Sequence, residues 1–181
     1  LYAVALQETV TRFLEAGLPL VICYAGMRDW FSKIFPGLPL LEQRGEGLAE
    51  RMAYAVQDLF KQGAGPVLLS GSDSPDLPVA LAEEALRQLQ QRDVVTVPCC
   101  DGGYAMIGLR RPAVEMFFDV PWSTETVQAA VRRRCHTLGL SYHATNGWHD
   151  LDEIADLQHL LARSPASLTA QHVSSELAEL L

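Results

Sequence analysis

Three short apolar runs constrain what this chain can fold into more than any other feature. They are "PLVICY" (Pro19–Tyr24), "PVLLS" (Pro66–Ser70) and "DVVTVP" (Asp93–Pro98), bounded by Gly, Pro or Asp. Runs of this length and composition read as strands. Their apolar character is continuous, not alternating, so burial on both faces is expected, as in a parallel sheet. Between them lie amphipathic stretches. Leu48, Met52, Val56, Leu59 and Phe60 recur at helical spacing, as do Val79, Ala82, Leu86 and Leu89. Further helices are predicted over Thr124–Leu138 and Glu153–Ala162, with a last one near the C-terminus. Leu1, Val4, Ala5, Thr9, Arg12 and Phe13 suggest another at the start. No internal repeat or low-complexity linker interrupts the pattern. The sequence reads as a single α/β domain over residues 1–181.

Composition narrows the partners. A formal net charge of -8 argues against a clamp on a nucleic-acid polymer, which needs Lys and Arg along the phosphates. It leaves open a single nucleotide held through a metal ion, because such a site requires acidic ligands. No signal peptide is visible, and no apolar run approaches the roughly 20 residues of a membrane span. The cysteines, Cys23, Cys99, Cys100 and Cys135, have no C-x-x-C spacing and read as small hydrophobes in a reducing compartment. A cytoplasmic location is expected.

The "PVLLS" strand runs into "GSDSPDLP" (Gly71–Pro78), where two aspartates sit among turn formers. Ligands of open α/β sheets bind beyond the carboxyl ends of strands, which is where this loop lies. Asp76 reads as an N-cap for a helix starting near Pro78. Asp73 is too early to cap and is a candidate ligand-binding group.

These residues resemble a known family. "GSDSPDLP", then "DVVTVPCCDGGYAMIGL" (Asp93–Leu109) and "PWSTETV" (Pro121–Val127), stand in the order found in bacterial glycosyltransferases of the nucleotide-diphospho-sugar transferase superfamily. "QRGEGLAERM" (Gln43–Met52) resembles the family's Gly-rich helix start, and "DLDEIADL" (Asp150–Leu157) its D-x-D-T-x-x-D-L ending, with Glu153 in place of Thr. Relatives include guanylyltransferases acting on phospholactate or on the molybdenum cofactor. The resemblance implies a GT-A fold, with a mostly parallel central sheet flanked by helices. It also implies a nucleotide or nucleotide-sugar substrate and a divalent metal, Mg²⁺ or Mn²⁺.

Carried onto this sequence, the resemblance makes Asp73 and Asp152 metal ligands, with Asp150 able to take the second role and Asp152 equally readable as a helix N-cap. Asp156 reads as a helix-surface residue. Gly45, Gly47 and Leu48 would contact the nucleobase, and Arg51 a phosphate or only solvent. "DGG" suits a β-hairpin turn, whereas the resemblance sets Asp101, Gly102 and Gly103 at the sugar or acceptor. Asp101 is then the first choice of base if the reaction inverts at the sugar. Tyr104 could stack or merely pack. Trp122 could wall the acceptor pocket or staple the helix that Ser123 or Thr124 would cap. The histidines show no metal-ligand spacing, and His149 beside Asp150 is the one to watch.

The expected function is a metal-dependent glycosyltransferase using a nucleoside-diphosphate sugar and a small-molecule acceptor. The rivals are a nucleotidyltransferase that uses a nucleoside triphosphate and releases pyrophosphate, and a nucleotide-binding domain without catalysis. Such families open with a strand and a loop resembling G-x-x-K-T-R-L, absent here. The natural protein is therefore expected to continue upstream with that strand and its Gly/Lys/Arg loop.

Overall fold

A computed structural model describes residues 1–177 and 179. Its helices are α1 (Tyr2–Glu15), α2 (Arg28–Ile34), α3 (Leu48–Lys61), α4 (Val79–Gln88), α5 (Val127–Thr137), α6 (Ile154–Arg163) and α7 (Leu168–Glu176). Its strands are β1 (Ile22–Tyr24), β2 (Leu40–Glu42), β3 (Val67–Ser70), β4 (Val94–Pro98), β5 (Tyr104–Leu109) and β6 (Tyr142–Ala144). A 3-10 turn covers Val114–Phe117.

The larger sheet has the order β3-β5-β4-β6, and β1 pairs with β2 in parallel as a separate two-stranded sheet. Strand β5 is antiparallel to both β3 and β4, while β6 is parallel to β4. So β3, β4 and β6 point the same way, and only β5 runs back between them. That reversal needs no crossover helix. The chain turns at Cys99–Gly103, where Cys99 N–H donates to Gly103 O at 3.0 Å, and returns as β5.

Burial of β4 on both faces, expected from its apolar run, holds: Val94, Val95, Thr96 and Val97 are fully inaccessible. Its direction relative to β5 was not readable, because burial does not report pairing sense. Val94, Ile107 and Leu109 join the core beneath α3 and α5 with Val56, Phe117 and Val131. Val95, Val97 and Met106 join the core beneath α4 with Leu77, Ala85 and Leu89. Gly108 permits that second contact, since a Cβ there would lie 2.6 Å from Leu89 Cδ1.

Two buried carboxylates tie distant segments together. Glu8 on α1 accepts from the N–H groups of Leu168 and Thr169 and from the Thr169 hydroxyl, so a residue of the first helix caps the last. Asp93 accepts from Arg110 at 2.7 Å, Arg111 at 3.0 Å, and both the backbone N–H and hydroxyl of Ser141. It joins the start of β4 to the end of β5 and the approach to β6.

The predicted helix over Thr124–Leu138 begins later, at Val127. Neither Ser123 nor Thr124 caps it: Thr126 holds the N-cap position and makes no side-chain cap bond. Thr124 instead donates to Pro121 O, and Ser123 sits at φ 61°, outside any helical start. Asp156, read as a surface residue, accepts the Glu153 N–H at 2.8 Å in a reciprocal capping box for α6.

Candidate active site

Because β3, β4 and β6 are codirectional, the loops that follow them leave the same end of the sheet. Each loop delivers carboxylates: Asp73 after β3, Asp101 after β4, and Asp150 and Asp152 after β6. The last loop is zipped onto the second. Thr145 N–H donates to Thr96 O, Trp148 N–H donates to Pro98 O at 2.8 Å, and Cys99 bridges Trp148. Gly147 allows this approach, since a Cβ there would lie 2.9 Å from Pro98 O.

The carboxylates feel one another. Oxygens of Asp101 and Asp150 and the Cys99 sulfur all lie within 4.8 Å of each other. Burial raises the Asp73 carboxyl above its ordinary range, and the charges of Asp152 and Asp101 push it the same way. Asp73 as a residue stays open to solvent while its carboxyl is crowded, because it folds back over Gly71, where any Cβ would collide with its Oδ1. Burial also raises Asp150, helped by Asp101 and Asp152 and opposed by a hydrogen bond with Cys99. The Cys99 thiol is driven far up by burial and then by Asp150, Asp101 and Asp73. Two like charges 4.8 Å apart repel by about 3 kcal/mol at an effective dielectric of about 20.

Hard oxygen donors in mutual repulsion are the donor set that suits Mg²⁺ or Mn²⁺.

The remaining predicted residues are placed as follows. Asp152 precedes the N-cap of α6, which is Glu153; its own N–H donates to Asp156 at 3.1 Å, and its carboxylate makes no cap bond among the described residues. Asp101 accepts from Gly103 N–H at 2.8 Å, closing a tight turn, so the hairpin and site readings of "DGG" coincide in one loop. Gly102, at φ 93°, packs against the backbone of Glu125, and its carbonyl accepts from Gln128 N–H. Tyr104 is deeply packed; its hydroxyl donates to Met52 Sδ and its ring meets the Trp122 edge at 5.9 Å. Trp122 is half-buried, and its indole N–H donates to Phe117 O. Both aromatics are partly buried and pack against the core beneath α3 and α5.

The Gly-rich start of α3 stands apart from the acidic loops in sequence. Gly45, at φ 109°, lies against Glu50, whose carboxylate accepts the Glu46 N–H. Gly47 is the N-cap, in extended backbone, with open space where a Cβ would go. Leu48 is exposed, and Arg51 N–H and Nε turn toward Gly47 O and Gly45 O.

The sequence reading missed the role of Asp76. It does not cap α4, whose N-cap is Pro78 without a side-chain bond. Instead it is buried and accepts from Arg163 Nε and Nη2 (2.7 and 3.1 Å), Ser164 Oγ (2.7 Å) and Trp148 Nε1 (3.2 Å). Burial alone would raise its carboxyl, but these hydrogen bonds overcome it and hold it below the usual range. Asp76 thus fastens the Asp73 loop to the loop carrying Asp150 and Asp152. No local signal marked it, because its partners come from 72 to 88 positions away in the chain.

A family described as an uncharacterized protein conserved in bacteria, DUF2064, matches residues 9–124, more than half of the chain. The chain belongs to the DUF2064 family. No curated protein matches it. In structure this DUF2064 chain is similar to a protein of Desulfovibrio desulfuricans G20 provisionally assigned as a nucleotide-diphospho-sugar transferase. Identity is 28%, coverage is 98% of this chain and 82% of that one, and the TM-score is 0.86. It is also similar to 4-diphosphocytidyl-2C-methyl-D-erythritol synthase, at 14% identity, 86% coverage of each chain and a TM-score of 0.63. A third likeness is to the bifunctional IspDF of Campylobacter jejuni, at 12% identity, covering 87% of this chain and 45% of that one, with a TM-score of 0.58. The fold expected from the motifs, that of the nucleotide-diphospho-sugar transferases, is the fold observed. No helix among the described residues is long and apolar enough to cross a membrane.

Proposed function

We propose that this DUF2064 chain is a metal-dependent glycosyltransferase that uses a nucleoside-diphosphate sugar. The observation that carries the reading is the convergence of Asp73, Asp101, Asp150 and Asp152 from three loops at one end of the sheet. The likeness to the Desulfovibrio protein supports it.

Asp73, with Asp152 or Asp150, would hold Mg²⁺ or Mn²⁺. When bound, such an ion offsets charge on a leaving diphosphate. Asp101 projects from the turn between β4 and β5 with one oxygen fixed by Gly103 N–H, and the other is available to take an acceptor proton. Gly45–Leu48 at the start of α3 offers backbone N–H groups and open space at Gly47 for a base.

A second reading, nucleotidyl transfer, is favoured by the likeness to the diphosphocytidyl-methylerythritol synthase over 86% of both chains. The same carboxylates would serve attack by a substrate phosphate on a nucleoside triphosphate.

Both readings are tested by one panel. The protein is incubated with Mn²⁺ and each of a set of nucleotide sugars and nucleoside triphosphates, and released nucleoside diphosphate and pyrophosphate are quantified. Nucleoside diphosphate from a sugar donor supports the first reading, and pyrophosphate from a triphosphate supports the second. A metal- and nucleotide-dependent thermal shift with neither product in the presence of acceptor mixtures would point to a binding domain without catalysis.

A further inference from the structure

The acidic loops are not the only built feature of this molecule. A cavity of about 430 Å³ lies along the outer side of β6, lined by Arg132, His136, Leu140, Tyr142, His143 and Ala144. Its volume is within the range of small-molecule sites. None of Asp73, Asp101, Asp150 or Asp152 lines it, and the segment from Leu140 into β6 lies at the end of the strand opposite the acidic loop.

Its chemistry is the reverse of the active-site loops. No carboxylate is among the lining residues, in a chain with 22 Asp and Glu against 14 Lys and Arg. Arg44, Arg87, Arg110, Arg111, Arg134 and Arg163 each pair with a carboxylate. Arg132 has no ion pair or hydrogen bond among the described residues. It stands one helical turn before His136 on α5, so both side chains share a face. His143 lines the groove from β6, but its register partner Val95 belongs to the core beneath α4, so its ring turns to that face, where Glu84 senses it, and away from Arg132 and His136.

The backbone adds donors. Ser141 O accepts from the N–H groups of Asp93 and Val94, and Thr145 N–H donates to Thr96 O, each at 3.0 Å. Along this parallel ladder the odd-numbered residues therefore face β4. Tyr142 and Ala144 turn their N–H groups to the free edge of the sheet, and both line the cavity.

We infer that the α5–β6 groove is a second ligand site, specific for a phosphate-bearing small molecule, with Arg132, His136 and the edge N–H groups as its donors. A guanidinium suits phosphate oxygens because its planar fork donates two parallel hydrogen bonds. The inference does not depend on which group the acidic centre transfers.

The test uses inorganic pyrophosphate and the full chain stripped of metal on a chelating resin, so that the unneutralised aspartates repel the probe. Binding is followed by calorimetry and by NMR of the histidine rings. Saturable one-to-one binding, weakened at least tenfold by Arg132→Ala, weakened more mildly by His136→Gln and unchanged by Asp73→Asn, is the expected result. Arg132 and His136 are exposed, so neither change should disturb folding. Absent or unsaturable binding, or affinity unchanged in both Arg132→Ala and Arg132→Glu, overturns the inference, as does loss of binding in Asp73→Asn. A glutamate-rich peptide that binds more tightly than pyrophosphate and protects the Tyr142 and Ala144 amides from exchange would also overturn it, assigning the groove to an acidic strand instead.

Discussion

Arg163 at the end of α6 donates from Nε to Asp76 Oδ2 at 2.7 Å, across 87 positions of sequence. Ser164 and the Trp148 indole complete the shell around the same carboxylate. This pair closes the ring of loops that brings Asp73 to Asp150 and Asp152. It is a positioning contact: Asp76 holds the acidic centre without belonging to it.

Replacing Asp76 with Ala should therefore destabilise the protein by about 3 kcal/mol, because Arg163 would remain as a largely buried, uncompensated charge. Arg163→Met/Asp76→Leu should recover part of that loss. Urea denaturation of the three proteins checks both statements. A change of less than about 0.5 kcal/mol in Asp76→Ala, the range of ordinary surface substitutions, would count against a buried pair.

Asp93 anchors the other end of the sheet. Its carboxyl is held well below the usual range by the Arg110 hydrogen bond first, against a cost of burial, with Ser141 and Arg111 adding to it. A depressed folded value means the stabilisation is complete above the unfolded value near 3.9 and is lost as pH falls through the folded one. Asp93→Asn should cost about 2–3 kcal/mol at pH 7 and flatten the acid limb of the stability curve below about pH 4. Denaturation midpoints across pH 2.5–7 test it on both counts.

Asp73 and Asp150 carry the opposite sign. With folded values raised, each costs stability once pH rises through the ordinary carboxyl range, and the cost is constant above the raised value. In metal-free protein at pH 7, Asp73→Asn should raise the melting temperature, by a stabilisation on the order of 0.5 kcal/mol once solvent screening is allowed for. The same change should abolish any Mn²⁺-dependent nucleotide shift. Thermal melts with and without Mn²⁺ distinguish the outcomes, and a Mn²⁺-dependent shift that survives Asp73→Asn removes Asp73 from the ligand set.

Two glycines should respond oppositely. Gly102 has φ 93° and no room for a Cβ against Glu125, so Gly102→Ala should lower stability by about 2–3 kcal/mol. Gly47 has extended backbone and open space around it, so Gly47→Val should fold normally. If the base sits there, nucleotide affinity should fall at least tenfold in Gly47→Val, as read by calorimetry with Mn²⁺ present. Unchanged affinity would return this loop to a plain turn.

Sequence by itself determined the elements whose signal is local. The stripe from Leu48 to Phe60 is α3 and the stripe from Val79 is α4, because a helix writes its buried face at a fixed period. The apolar run at Val94–Val97 is a doubly buried strand because both its faces had to be filled. Gly71 and Asp73 were legible as a strand-end loop because turn chemistry is also local. Only the tertiary structure decided that β5 runs antiparallel between β3 and β4, since an apolar run carries no record of its neighbour's direction. β6 is three residues long and half-buried, too short to write a pattern of its own. The same holds for Asp76 and Asp156. An aspartate near a helix start can cap it, reach a distant arginine or face solvent, and the choice rests on what the rest of the chain brings within 3 Å of it. Arg163 arrives at Asp76 only after α6 has docked, so the contact that sets the acidic centre could not be read from the residues around it.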